Sequence, residues 1–191
     1  MSAGQLVVAF AFGLLLVIVG FLVFETYNSV VGLRLRIDKA WANVDVALKQ
    51  RWDQLPNLVE AVRDVMTWER DVLTDVTRLR AQYAPGEPIP AQAATSEATS
   101  AAVRQLFAVV ESYPELRSNA NVLDLQDEIE RLENVIADRR ELYNDQVYRH
   151  NTRIGQVPAV FLAPLFGWRA RPFFRAEPEA SARPDTSLAA G

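Results

Sequence analysis

The sequence predicts an all-α protein, an N-terminal transmembrane helix followed by an antiparallel four-helix bundle. Three observations predict it. No charged side chain precedes Glu25, and residues 6–24 form an unbroken apolar run. Beyond that run the apolar residues recur at spacings of three and four in four separate segments, the period of one helical face. No strand-like alternation of useful length occurs anywhere, and no heptad pattern requires an extended coiled coil instead. The expected organisation is an anchor at 1–26, a bundle at 27–155, a closing apolar and aromatic-basic segment at 156–175 and a disordered tail at 176–191.

The apolar run, as a helix rising about 1.5 Å per residue, covers roughly 28 Å, close to the ~30 Å hydrocarbon core of a bilayer. A cleavable signal peptide would show a basic start, a shorter apolar region and a small-x-small cleavage site. Here the first five residues carry no Lys or Arg, and the run ends in Phe24, Glu25, Thr26, Tyr27 and Asn28, so a retained anchor is expected. Arg34, Arg36 and Lys39 follow the run and none precedes it, which by the positive-inside rule places the N-terminus outside and the bundle in the cytoplasm.

The first bundle stripe is Val30, Leu33, Ile37, Trp41, Val44, Leu48, Trp52 and Leu55, continuous with the anchor because no breaker intervenes. Pro56 interrupts it, since an interior proline loses a hydrogen bond and clashes with the preceding turn. A tight hairpin at 53–57 is the expectation, with a kink as the alternative. The second stripe is Leu58, Val62, Val65, Val72, Val76 and Leu79. Pro85, Pro88 and Pro90 then lead into an Ala-, Ser- and Thr-rich stretch to Ser100 that reads as a mobile connection. A short third helix carries Val103, Leu106, Phe107 and Val110 and closes at Tyr113-Pro114. The fourth, capped by Asn119 or Asn121, carries Val122, Leu125, Ile129, Leu132, Ile136, Tyr143 and Val147.

These residues carry a resemblance to the LemA family: Tyr27-Asn28-Ser29-Val30-Val31, Ala40-Trp41 with Asp45-Val46, the run RWDQLPNLV at 51–59, Tyr113-Pro114-Glu115-Leu116-Arg117, the run LDLQDEIERLENVIADRR at 123–140, Tyr143-Asn144 and Leu165-Phe166-Gly167. The chain departs from that pattern in its Pro-rich link at 85–90 and in Ala163-Pro164 before the closing motif. The resemblance implies an N-terminal span and a four-helix bundle in a bacterial membrane protein. It implies no catalytic residue and no cofactor.

Twenty Lys and Arg balance twenty-four Asp and Glu, interspersed, so no nucleic-acid footprint stands out. The absence of cysteine removes disulfides, thiol catalysis, a lipoprotein anchor and the usual zinc clusters. His150 is the only histidine and reads as a half-buried polar residue. Asp124 with Glu128, or Glu130 with Glu133 and Asp138, could mimic the carboxylate sets of di-iron bundles, but those need Glu-x-x-His motifs. Alternating with Arg131, Arg139 and Arg140, these acids read as a solvated helix face. Asn144 and Asn151, seven apart on one helical row, could bridge to a neighbour or stand exposed. Trp41 and Trp52 read as core, whereas Trp68 sits off the best apolar row of the second helix, where an exposed Trp would suggest a contact surface.

No catalytic, metal or cofactor residue is therefore expected, and the chain is read as non-enzymatic. The leading function is a membrane-anchored scaffold binding protein partners or other copies of itself. A lipid-surface role ranks second, through Trp168, Arg169, Arg171, Phe173, Phe174 and Arg175, with residues 157–166 packing on the bundle as a clasp. An enzyme or its accessory subunit ranks last. Membrane lipid and protein are the expected partners, nucleic acid is not.

Overall fold

The computed structural model describes residues 2–63, 70–82, 84 and 86–175. Among the described residues it contains six helices and no strand: α1 Ala3–Arg63, α2 Arg70–Gln82, α3 Ile89–Val110, α4 Pro114–Arg117, α5 Ala120–Gly155 and α6 Ala159–Phe166. The helical bundle predicted from the spacing is present. Two compact units divide the chain, Met1–Asn43 with Glu141–Arg171, and Val44–Arg140 with Pro172–Gly191. Trp68, Val65, Pro85 and the tail 176–191 lie outside the described residues.

In the first unit α1 begins with exposed apolar side chains, and one stretch of it is long and apolar enough to cross a membrane. Thr26 and Val30, one turn apart, are the first buried positions, followed by Leu33 and Ile37. The exposed stretch thus passes without a break into a one-sided helix. Trp41 meets Tyr143 edge-on at 5.6 Å, and Ile154 packs against the cluster formed by Val30, Ala159 and Trp168. From Val30 to Trp41 is eleven residues forward along α1 and from Ile154 to Tyr143 eleven back along α5, so within this unit the two helices pair antiparallel.

In the second unit, residues 44–63 of α1, helices α2 and α3 and residues 120–140 of α5 supply the four helical segments. Their buried positions include Val44, Leu48, Trp52, Leu55, Leu58, Val62, Leu73, Val76, Leu79, Leu106, Ile129 and Leu132. Leu116, on the short α4, is also buried. Asn119 is the cap of α5, its Oδ1 accepting the backbone N–H groups of Asn121 at 3.0 Å and Val122 at 3.4 Å.

Three sequence expectations are corrected. The hairpin at 53–57 is not formed, because α1 continues through Pro56 to Arg63. An interior proline costs about 3 kcal/mol. Burying an aliphatic side chain contributes about 1.5–3 kcal/mol, and Leu55, Leu58 and Val62 beside the proline are all fully buried. Packing outweighs the lost hydrogen bond. The Ala-, Ser- and Thr-rich stretch is not a connection but the first half of the 22-residue α3. Pro90 stands in the first turn of α3, where no intrahelical partner for its N–H is needed. Trp41, expected in the core, is only partly buried.

Replacing Pro56 by alanine is therefore expected to raise the stability of the detergent-solubilised chain, by up to about 3 kcal/mol, read as an increased thermal midpoint by circular dichroism. A lowered midpoint would contradict the continuous helix. Leu58→Ala, at a fully buried position, is expected to cost about 2–5 kcal/mol.

Candidate functional site

Two interior polar clusters concentrate the chemistry of this chain. The first lies in the second unit around Arg51, whose side chain has 0% exposure. Its Nη1 donates to Glu133 Oε1 at 2.7 Å and to Ser100 Oγ at 2.9 Å, while Nη2 donates to Ser96 Oγ at 3.0 Å and to the Ser96 carbonyl at 3.4 Å. Ser100 Oγ also donates to Glu133 Oε2 at 2.6 Å. Three helices therefore meet at one guanidinium. Ser96 and Ser100, four apart, share a face of α3 with buried Ala93, Thr99 and Val103, and their small side chains leave room for the arginine.

Burial pushes the Arg51 guanidinium below its usual range, opposed by the charge and hydrogen bond of Glu133. Its Nε hydrogen finds no acceptor. Ser96, Ser100 and Glu133 all accept hydrogen bonds from the guanidinium, which ties the three helices together.

The second cluster lies in the first unit, where α5 meets the segment after α6. Gly167, at φ +65°, is the C-terminal cap of α6 and reverses the chain, with the Trp168 N–H donating to the Ala163 carbonyl at 2.9 Å. The Asn151 side chain then imitates a peptide: its Nδ2 donates to the Arg171 carbonyl at 2.9 Å and its Oδ1 accepts the Arg171 N–H at 2.8 Å. The Arg171 guanidinium reaches Asp38 Oδ1 at 3.4 Å, which joins this segment to α1. Nearby, the buried Tyr143 hydroxyl is pushed up to about 12, chiefly by desolvation, with Arg171 lowering it and Asp38 raising it.

His150 is buried, with 1% exposure, rather than half-buried as its sequence position suggested. Its Nδ1 lies 3.3 Å from Asn151 Oδ1 and its Nε2 has no partner. Desolvation pushes its pKa down, opposed by the Asn151 contact and reinforced by the positive charges of Arg171 and Arg34.

Of the acidic residues on α5, Glu133 departs from the expected solvated face by holding Arg51. Asp124, Glu130 and Asp138 are exposed, and Glu128 pairs with Arg131 at 2.6 Å. The described residues contain no group of three or more His, Cys, Asp or Glu placed to hold a metal ion. Asn151 makes the bridge that its row allowed, to a backbone rather than to another helix. Arg51 was missed as an interior residue because an arginine on an apolar stripe reads as a snorkelling surface residue. The available signal was its position four residues before Leu55 and three after Leu48.

The closing segment divides differently from the expectation. Trp168 and Phe174 are buried, Arg171 and Phe173 are partly covered, and only Arg169 and Arg175 stand fully outside. Arg175 lies over the Phe173 ring at 5.4 Å. In the expected clasp 157–166, by contrast, Val157, Phe161 and Leu165 are exposed while Ala159 is buried. Gly167 is the physical reason: its left-handed turn carries Trp168 back into the Val30 cluster.

Glu133→Ala is expected to cost about 3–5 kcal/mol, because it leaves the Arg51 charge buried without its counter-ion, whereas Arg51→Met combined with Glu133→Leu is expected to recover most of the loss. Denaturant unfolding in detergent checks both. For His150, a folded pKa lowered below the unfolded value near 6.5 gives stability that is present above pH 6.5 and lost as pH falls below it. The wild-type thermal midpoint is therefore expected to fall between pH 7.5 and 5.5 by more than that of His150→Gln. Equal falls would show that His150 does not titrate with unfolding.

No curated protein matches this chain. A family model described as the LemA family matches residues 40–188 of the 191. That range contains the Arg51 cluster, the second cluster apart from Asp38, and all the motifs of the resemblance except Tyr27 to Val31, and the chain belongs to the LemA family.

Proposed function

We propose that this LemA-family chain is a non-enzymatic, single-pass membrane scaffold, its N-terminus outside and its helical units in the cytoplasm, where they bind other proteins or further copies of the chain. The observation that carries this reading is how the interior polar groups are engaged. The Arg51 guanidinium joins three helices, and the Asn151 amide joins α5 to the backbone at Arg171. Both act as fasteners between segments of the chain. The exposed apolar start of α1 continues as one helix into the packed units, so an anchor would be joined to them without a flexible linker. Leu35, Leu142 and Tyr148 are large exposed side chains on α1 and α5 available for protein contact. The lipid-surface reading retains Arg169 and Arg175 as outward residues of the closing segment, with Phe173 partly covered.

Photocrosslinkers placed at Leu35, Leu142 and Tyr148 in native membranes are expected to give discrete adducts. A chain that remains monomeric and unadducted from all three positions would sink the scaffold. Protease added to intact cells is expected to spare a C-terminal tag, and its digestion would reverse the orientation.

A further inference from the structure

We propose that α6 is a second membrane contact: a short interfacial helix whose Phe161 and Leu165 lie in the surface of an anionic bilayer beside the span.

Helix α6, AVFLAPLF, contains no charged or hydrogen-bonding side chain. A short helix apolar on every side normally buries all of its faces. Only one side is covered here. Ala159 is fully buried, and Leu162 and Ala163 pack against the cluster of Val30, Ala159 and Trp168. On the other side Phe161 is 75% exposed and Leu165 77% exposed, four apart on one row of the helix, and Val157, in the turn just before α6, is exposed as well. Exposure of this kind at adjacent positions of one helix marks a contact surface rather than scattered apolar residues.

The position of α6 identifies what covers that row. Phe166, its last residue, meets Tyr27 edge-on at 5.2 Å and stacks on Trp168 at 5.1 Å, and Tyr27 lies 6.2 Å from Trp168. Tyr27 is three residues beyond Phe24, the last residue of the apolar run, hence about 4.5 Å farther along the helix. Those rings stand where a bilayer's headgroup zone would be if 3–24 is a span, the depth at which Tyr and Trp are favoured. A helix beside them can place apolar side chains at the headgroup and acyl boundary. Charge agrees with this occupant. The stretches Met1–Asn43 and Glu141–Arg171 carry seven Lys and Arg against four Asp and Glu, whereas the whole chain carries twenty against twenty-four. Arg153, just before α6, and exposed Arg169, just after it, can reach acidic headgroups. The apolar row and the basic flanks thus match the two components of an anionic lipid surface.

This inference rests on the membrane anchor but not on the scaffold reading, and depth measurements separate them. The chain has no native cysteine, so each substitution creates a single labelling site. Phe161→Cys, Leu165→Cys, Leu142→Cys on the exposed side of α5 and Leu15→Cys in the apolar run would be labelled with an environment-sensitive fluorophore. The full-length chain is then reconstituted in phosphatidylcholine–phosphatidylglycerol vesicles carrying nitroxide lipids. Positions 161 and 165 are expected to emit to the blue of position 142 and to be quenched several-fold more strongly than it by a nitroxide placed near the headgroups. Position 15 should be quenched best by a nitroxide deep in the acyl chains. Water-like emission at 161 and 165 would overturn the proposal while leaving the anchor, provided position 15 is quenched. Blue emission at 161 and 165 without lipid quenching would also overturn it, because a second protein surface would then be the cover. Failure of quenching at position 15 would overturn the anchor and this contact together, with the crosslinking result for the scaffold still standing separately.

Discussion

A guanidinium with no exposure to solvent is stable only where its hydrogen bonds and a counter-charge are supplied in place, and in the second unit Arg51 sets that requirement for three helices at once. Taking a cation and a carboxylate out of water carries an effective cost of several kcal/mol per ion. Ser96 and Ser100 offset part of it, and Glu133, one quarter exposed, supplies the charge while keeping some hydration of its own. Ser100 bonds both partners, so a slip of either helix by one residue would break more than one bond. Apolar contacts are tolerant of small slips. Directional bonds to a buried cation are not, which makes this cluster a determinant of register more than a net source of stability.

The same physical device recurs in the first unit without a full ion pair. Asn151 presents an amide in the geometry of a peptide group and satisfies both backbone groups of Arg171, so the segment beyond α6 is held without belonging to a helix or strand. Buried backbone groups must be paired, and an irregular segment lacks an internal ladder to pair them. One side chain on α5 answers that need. His150, buried beside it, is kept toward its neutral form chiefly by desolvation.

Both arrangements use polar side chains to join segments of the chain, while the outward faces differ in kind. The start of α1 and one row of α6 are apolar and exposed. Elsewhere exposed ion pairs such as Arg131 with Glu128 and Arg149 with Asp145 line α5, each worth little in stability but favouring solvation. A surface of this composition suits contact with lipid at one place and with water or protein at others.

The sequence by itself determined the elements whose burial is apolar and local. The stripe from Val30 through Leu55 and that from Val122 through Val147 recur with helical period, and nearly every member is covered, with Trp41 and Leu125 only partly so. The anchor-like run is equally legible, because length and lack of charge suffice to define it. Tertiary structure alone decided the cases where a distant partner outweighs a local rule. Pro56 should break a helix, yet the burial of Leu55, Leu58 and Val62 carries α1 through it. Residues 91–100 lack an apolar stripe because part of the face they bury is polar, Ser96 and Ser100 being complementary to an arginine forty-five and forty-nine residues earlier. Glu133 looks like its exposed neighbours until Arg51 is placed beside it. The exposed row of α6 depends on Gly167 turning Trp168 inward to occupy the space beside Val30. Hydrophobic periodicity is a property of neighbours along the chain, whereas partner-dependent polar burial is a property of residues that only folding brings together.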